Sequence, residues 1–166
     1  MILFRAPLGG ILRVREILYW LRLQGPFMRT NSIVLASRAE EWDALLLWVV
    51  AFAQSEGYSN DFLSDLLCAM KEAFVNALYH GNRDDERLPV TVMMTALGTD
   101  GTRVLLVEVR DCGAGFSLEA VADPTDEQCL LCSSGRGMYI IRSIASIDDI
   151  ECNEDGCSIK LRFAPF

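Results

Sequence analysis

The chain has 166 residues, 51% of them apolar and 23% charged. That is the length of one domain, enough to bury a core and too apolar for wholesale disorder. The net charge is −8 although the first 28 residues hold four arginines (Arg5, Arg13, Arg15, Arg22) against one acid, Glu16; the acidic remainder would repel a phosphate backbone, which argues against direct nucleic-acid binding.

Residues 1–29 read as a segment apart from the domain at 30–166. Within it Ile11 to Leu23 suits a basic, apolar helix closed by Gly25-Pro26, serving as an arm on the body or on a partner, or as a weak membrane-surface helix. A translation start at Met28 is favoured over these, and peptides from residues 5–22 in the native protein would refute it. Arginines interrupt every early apolar stretch, so no secretory signal is expected. The chain is therefore expected to be cytoplasmic, with its six cysteines as free thiols.

A short strand is predicted over Asn31–Ser37, with Ile33 and Leu35 on one face. Glu40 to Gln54 carries apolar residues at 42, 45, 46, 49, 52 and 53, which is helical spacing, and Gly57 breaks it. The longest apolar run, Ala44 to Ala53, is about half of what spans a bilayer, so no integral membrane segment is expected. Ser59 caps a second predicted helix that runs to about His80 and stops at Gly81-Asn82. The charged stretch Arg83 to Arg87 leads through Pro89 into a hairpin, Val90–Leu97 and Arg103–Asp111, turning at Thr99–Thr102. Leu105, Val107 and Val109 share one face, and the period of two puts Asp111 on it.

Residues 112–134 show no periodicity, and a connection of that length reads as a binding loop or lid. Cys129 and Cys132, with Cys112 upstream, offer three sulfurs. A zinc site would need a fourth ligand, and the single histidine, His80, sits in another motif. A last helix is predicted over Arg136–Ile147, with Met138, Ile141, Ile144 and Ala145 inward. The closing hairpin pairs Asp149–Cys152 with Cys157–Phe163, making Cys152 and Cys157 candidate cross-strand neighbours. Helices and antiparallel hairpins in this order give an α+β fold, a two-layer sandwich.

Three groups of residues carry chemistry. Glu72, Asn76 and His80 are four apart and line one helical stripe, with the small Ala69, Ala73 and Ala77 beside them. The pair Glu72/Asn76 offers a base next to an oxygen ligand for Mg²⁺, although such pairs usually lie on solvated helix faces. Asp111-Cys-Gly113-Ala-Gly115 follows a strand; its glycines allow close backbone approach, and its carboxylate accepts from an amino group. Alone it is only a turn. Gly135-Arg136-Gly137 opens a helix, where free N–H groups and an arginine suit phosphate.

In this order and spacing, Glu72-x3-Asn76, Asp111-x-Gly113-x-Gly115 and Gly135-x-Gly137 resemble the GHKL (Bergerat) ATP-binding superfamily, which includes histidine-kinase catalytic domains. The short span between the glycine motifs, Ala122-Asp-Pro-Thr125 and Gly135-Arg-Gly-Met-Tyr-Ile-Ile-Arg142 look most like the RsbW-like anti-sigma-factor serine/threonine kinases. The likeness covers about residues 30–164. It implies a mixed, mostly antiparallel sheet covered on one face by helices. It also implies ATP and Mg²⁺ as cofactors, a sigma factor and an anti-sigma-factor antagonist as partners, and a homodimer. Glu72 would be the general base and Asn76 the magnesium ligand. Asp111 would read the adenine amino group, and Gly113 and Gly115 would shape the base pocket. Gly135, Arg136 and Gly137 would form the lid hinge and the phosphate-facing helix start. Cys157 departs from the pattern, standing where a threonine facing adenine is usual. A regulatory module that binds ATP without transferring phosphate, and the catalytic half of a split histidine kinase, are the alternatives.

Overall fold

The structure is a computed structural model and describes residues 27–99, 102–113 and 136–165. In chain order it runs β1 (Phe27–Ala36), α1 (Glu41–Glu56), α2 (Asn60–Val75), a π-helical turn (Asn76–Gly81), β2 (Pro89–Thr99), β3 (Thr102–Arg110), α3 (Arg136–Ile144), β4 (Ser146–Asn153) and β5 (Gly156–Phe163). The five strands form one sheet in the order β1-β2-β3-β5-β4, and every pairing is antiparallel. The architecture is an α+β sandwich.

The period of two decides which face is covered. Val92 pairs with Val109, Met94 with Val107 and Ala96 with Leu105, while Val107 and Leu105 in turn pair with Leu161 and Phe163. All of these are buried, and the helices supply the other half of the core through Leu45, Val49, Phe52, Leu66, Met70, Phe74 and Ile141. Removing this apolar surface from water is the main favourable contribution to folding. Aromatic rings join the two layers: Tyr58 meets Phe62 edge-on at 5.0 Å, and Phe62 meets Phe163 edge-on at 5.9 Å.

Helix ends follow local chemistry. Gly57, at φ 72°, closes α1 in the left-handed conformation, and Ser59 caps α2 by accepting from the Phe62 N–H at 3.2 Å. Arg103 donates to the last carbonyl of α1, that of Glu56, at 2.7 Å, and Arg29 pairs with the Glu56 carboxylate at 3.1 Å. A cation at a helix C-terminus offsets the macrodipole and pins α1 to the sheet.

Three boundaries differ from the sequence reading. β1 begins at Phe27, four residues earlier than predicted, and pairs Phe27, Met28 and Arg29 with Gly98, Leu97 and Ala96 of β2. The second predicted helix changes at Asn76 from α to π. The last helix ends at Ile144, and Ile147 lies instead in β4, opposite Leu161. Ile141, Ile144 and Ile147 keep a helical spacing, but the exposed edge of β5 takes Ser146 and Ile147 as ladder partners, and tertiary pairing overrides local propensity. A bulge between Ile147 and Asp149 turns Asp148 outward to Arg162, whose Nη2 donates to it at 2.7 Å. Lys160 holds Asp149 and Glu151 at 3.3 and 2.9 Å, so β4 is bound to β5 by charge as well as by its ladder. Residues 1–26 lie outside the described part, as do Cys129 and Cys132.

Candidate functional site

Asp111 ends the core-facing stripe of β3, as the alternation predicted, and is 4% exposed. Its Oδ1 accepts from the Gly113 N–H at 2.9 Å and from the Cys157 N–H at 3.3 Å, and its own N–H donates to the Cys157 carbonyl at 2.9 Å. Among the described residues nothing donates to Oδ2, which keeps acceptor capacity. Burial raises the carboxyl pKa above its ordinary value, and the N–H bonds and the Arg110 charge oppose that rise.

Close backbone approach builds the floor under this carboxylate. A Cβ on Gly81 would run into the Asp111 side chain, and one on Gly113 would run into the Gly81 carbonyl. The end of the π turn therefore lies directly against the exit of β3. Asn82, 2% exposed, fastens the two together. Its Oδ1 accepts from the Cys112 N–H at 2.7 Å, while its Nδ2 donates to Ser37 Oγ at 2.7 Å and to the Pro89 and Leu88 carbonyls at 3.0 and 3.2 Å. Ser37 Oγ donates in turn to the Leu88 carbonyl at 2.6 Å. A fully bonded buried amide of this kind specifies one arrangement of the segments around it. After it, Arg83 and Asp84 both take positive φ, 54° and 61°, which non-glycine residues seldom do.

Asn76, Ala73 and Ala77 from the helical side and Asp111, Cys157 and Ser158 from the sheet line one pocket, with Met138 of α3 as a further wall. Its free space is about 20 Å³, room for a single water. Glu72 stands one turn before Asn76, against the start of α3. A Cβ on Gly137 would lie 2.6 Å from Glu72 Oε2 and 3.7 Å from Asn76 Nδ2, so any larger residue there would push the Glu72 carboxylate aside. Arg136 is exposed at the first position of α3.

The structure thus brings together Glu72, Asn76, Asp111, Gly113 and Gly137, with Arg136 beside them. Gly115 and Gly135 lie outside the described residues. His80 does not continue the Glu72/Asn76 stripe: the wider π turn intervenes, and His80 is exposed and does not line the pocket. Gly81 and Asn82, a helix stop by sequence, both touch the Asp111 turn. The adjacent Gly-Asn was visible in the sequence, but its partners come from three separate segments. The expectation of free thiols fails at Cys152 and Cys157, which are disulfide-bonded across β4 and β5 with Cα atoms 4.1 Å apart. In a non-hydrogen-bonded antiparallel pair the Cα atoms come closest, which places two sulfurs within bonding reach. Cys68 and Cys112 are free and exposed.

Among the described residues, no group of three or more His, Cys, Asp or Glu side chains is placed to hold a metal, and no helix is long and apolar enough to cross a membrane. A family model described as the histidine kinase-like ATPase domain matches residues 35–163. No curated protein matches the chain. Among solved structures, the chain is similar to the RsbU and RsbW domains of Rv1364c from Mycobacterium tuberculosis, with 17% identity and a TM-score of 0.55. That likeness covers 82% of this chain but 32% of the other, so this chain spans about a third of that length, and the similarity is one of fold.

Proposed function

Because this chain belongs to the histidine kinase-like ATPase domain family, we propose that its pocket binds ATP with Mg²⁺ and that it transfers phosphate to a serine or threonine of a partner protein. The observation that carries the reading is Asp111, a buried carboxylate whose Oδ1 is held by two backbone N–H groups and whose other oxygen remains to accept from an amino group. Asp111 takes the adenine amino group, and Gly113 lets the backbone approach the base. Glu72 accepts the proton of the attacking hydroxyl, and Arg136 with the N-terminus of α3 draws the phosphates. By the family pattern, Gly115 would shape the base pocket and Gly135 the lid hinge. Phosphoryl transfer asks mainly for positioning and charge neutralisation, which these residues supply.

A magnesium ion that arrives on phosphates needs only one or two protein oxygens, and Asn76, with Glu72 one turn away, fits that demand. Once bound, the ion screens the phosphate charge. The 20 Å³ of free space is far below the several hundred of a nucleotide-sized site. Entry of the base therefore requires the walls of this pocket to move apart.

In the full reading the protein is a cytoplasmic anti-sigma factor and a homodimer that binds a sigma factor and phosphorylates its small antagonist. The family pattern together with the acidic charge supports a protein partner over nucleic acid. One observation favours a second reading, an ATP-binding regulatory module of the same fold without transfer: Cys157, standing where the pattern has threonine, is bonded to Cys152.

Labelled ATP and a candidate antagonist separate the two. We expect acid-stable phosphoserine or phosphothreonine with the wild type, and a loss of about 100-fold or more in Glu72→Ala, as for removal of a general base. ATP-dependent partner binding with no transfer by the wild type would leave the module and eliminate the kinase.

A further inference from the structure

We propose that Cys152 and Cys157 form a thiol–disulfide exchange site whose reduction loosens the hold of the β4–β5 hairpin on Asp111 and weakens nucleotide binding. The effect on nucleotide rests on the reading of the pocket as an ATP site; the effect on Asp111 does not.

The two sulfurs bridge surface and pocket. Cys152 is exposed, whereas Cys157 is 3% exposed and lines the pocket. The backbone of Cys157 is bonded to Asp111 twice, its N–H donating to Oδ1 and its carbonyl accepting from the Asp111 N–H. Gly156 presses so closely on the Asp111 carbonyl that a Cβ there would collide with it. The position of Cys157 therefore sets the carboxylate. Beyond the disulfide the ladder has one more pair, Asn153 with Gly156, before the turn. The covalent link holds the last rungs of the hairpin together where ladders open most readily.

Exposed disulfides are the ones that exchange with cellular dithiols. A thiolate of the dithiol attacks Sγ of Cys152, the S–S bond breaks, and Cys157 leaves as a thiolate that takes up a proton. The second thiol of the reagent then displaces the Cys152 sulfur and closes a cyclic disulfide. Two electrons and two protons pass from the dithiol to the pair.

The test uses the full chain, oxidised or reduced with dithiothreitol, with the state of the pair verified by alkylation and mass spectrometry. We expect reduction to raise the Kd for ATP about fivefold, the equivalent of roughly one hydrogen bond. The Cys152→Ser variant should show the weaker value in both conditions. An affinity equal in both states of the wild type, or the same redox response in Cys152→Ser, overturns the proposal. Amide exchange of Gly113 and Cys157 without nucleotide reads the Asp111 contacts directly. Faster exchange on reduction supports the proposal even if no form binds ATP, an outcome that would instead sink the ATP reading; unchanged exchange overturns it.

Discussion

Burial pushes the Asp111 carboxyl above the ordinary carboxylate range, while the N–H groups of Gly113 and Cys157 and the Arg110 charge pull it back. Between the ordinary value and the raised one, the folded chain keeps a proton that the unfolded chain has lost. Stability therefore falls as pH rises through that window. The ionised acceptor accumulates over the same window, so ATP affinity should rise with pH there, as calorimetry across the acidic range can measure. Asp111→Asn keeps the shape and removes the charged acceptor. It should abolish that pH dependence and weaken ATP about tenfold or more, the scale of a hydrogen bond to a charged group. Unchanged affinity would count against Asp111 as the base-reading residue. The burial of Asp111 was legible in the sequence because strand alternation follows from covalent geometry. The partners of Asn82 were not, since Ser37, Leu88, Pro89 and Cys112 share no local pattern.

The π turn, the start of β2 and the exit of β3 meet at that asparagine. Asn82→Ala leaves the Cys112 N–H without its acceptor and the Pro89 carbonyl without its donor. An unsatisfied buried group costs about 1–3 kcal/mol, so the urea midpoint should fall by a corresponding amount. If the midpoint stays within error of the wild type, Asn82 is not the fastener its bonds describe. Element boundaries were legible where a residue acts on its neighbouring backbone, Ser59 through its hydroxyl and Gly57 through its left-handed φ. They were not legible where a distant strand decides, as at Ile147, or where an extra residue widens a helix, as at Asn76. The π turn also explains why His80, placed on one stripe with Glu72 and Asn76 by counting in fours, is exposed away from the pocket.

For the whole molecule, the two-layer arrangement was readable because the apolar residues of β2, β3 and β5 repeat every second position and those of α2 at helical spacing. The strand order was not readable: nothing in β4 or β5 alone says that β5, and not β4, pairs with β3. The disulfide was half readable: the closing hairpin made Cys152 and Cys157 candidate neighbours, but the expected compartment argued for thiols and register decided the outcome. The charged residues of β4 carry one more consequence. Among the described residues β4 lies at the margin of the sheet, where unpaired backbone groups invite another chain to add a strand. Asp148, Asp149 and Glu151 line that margin, and Glu154 and Asp155 follow at the turn. A strand approaching there must desolvate or repel those carboxylates. The ion pairs that register β4 on β5 thus also guard this border against edge-to-edge aggregation.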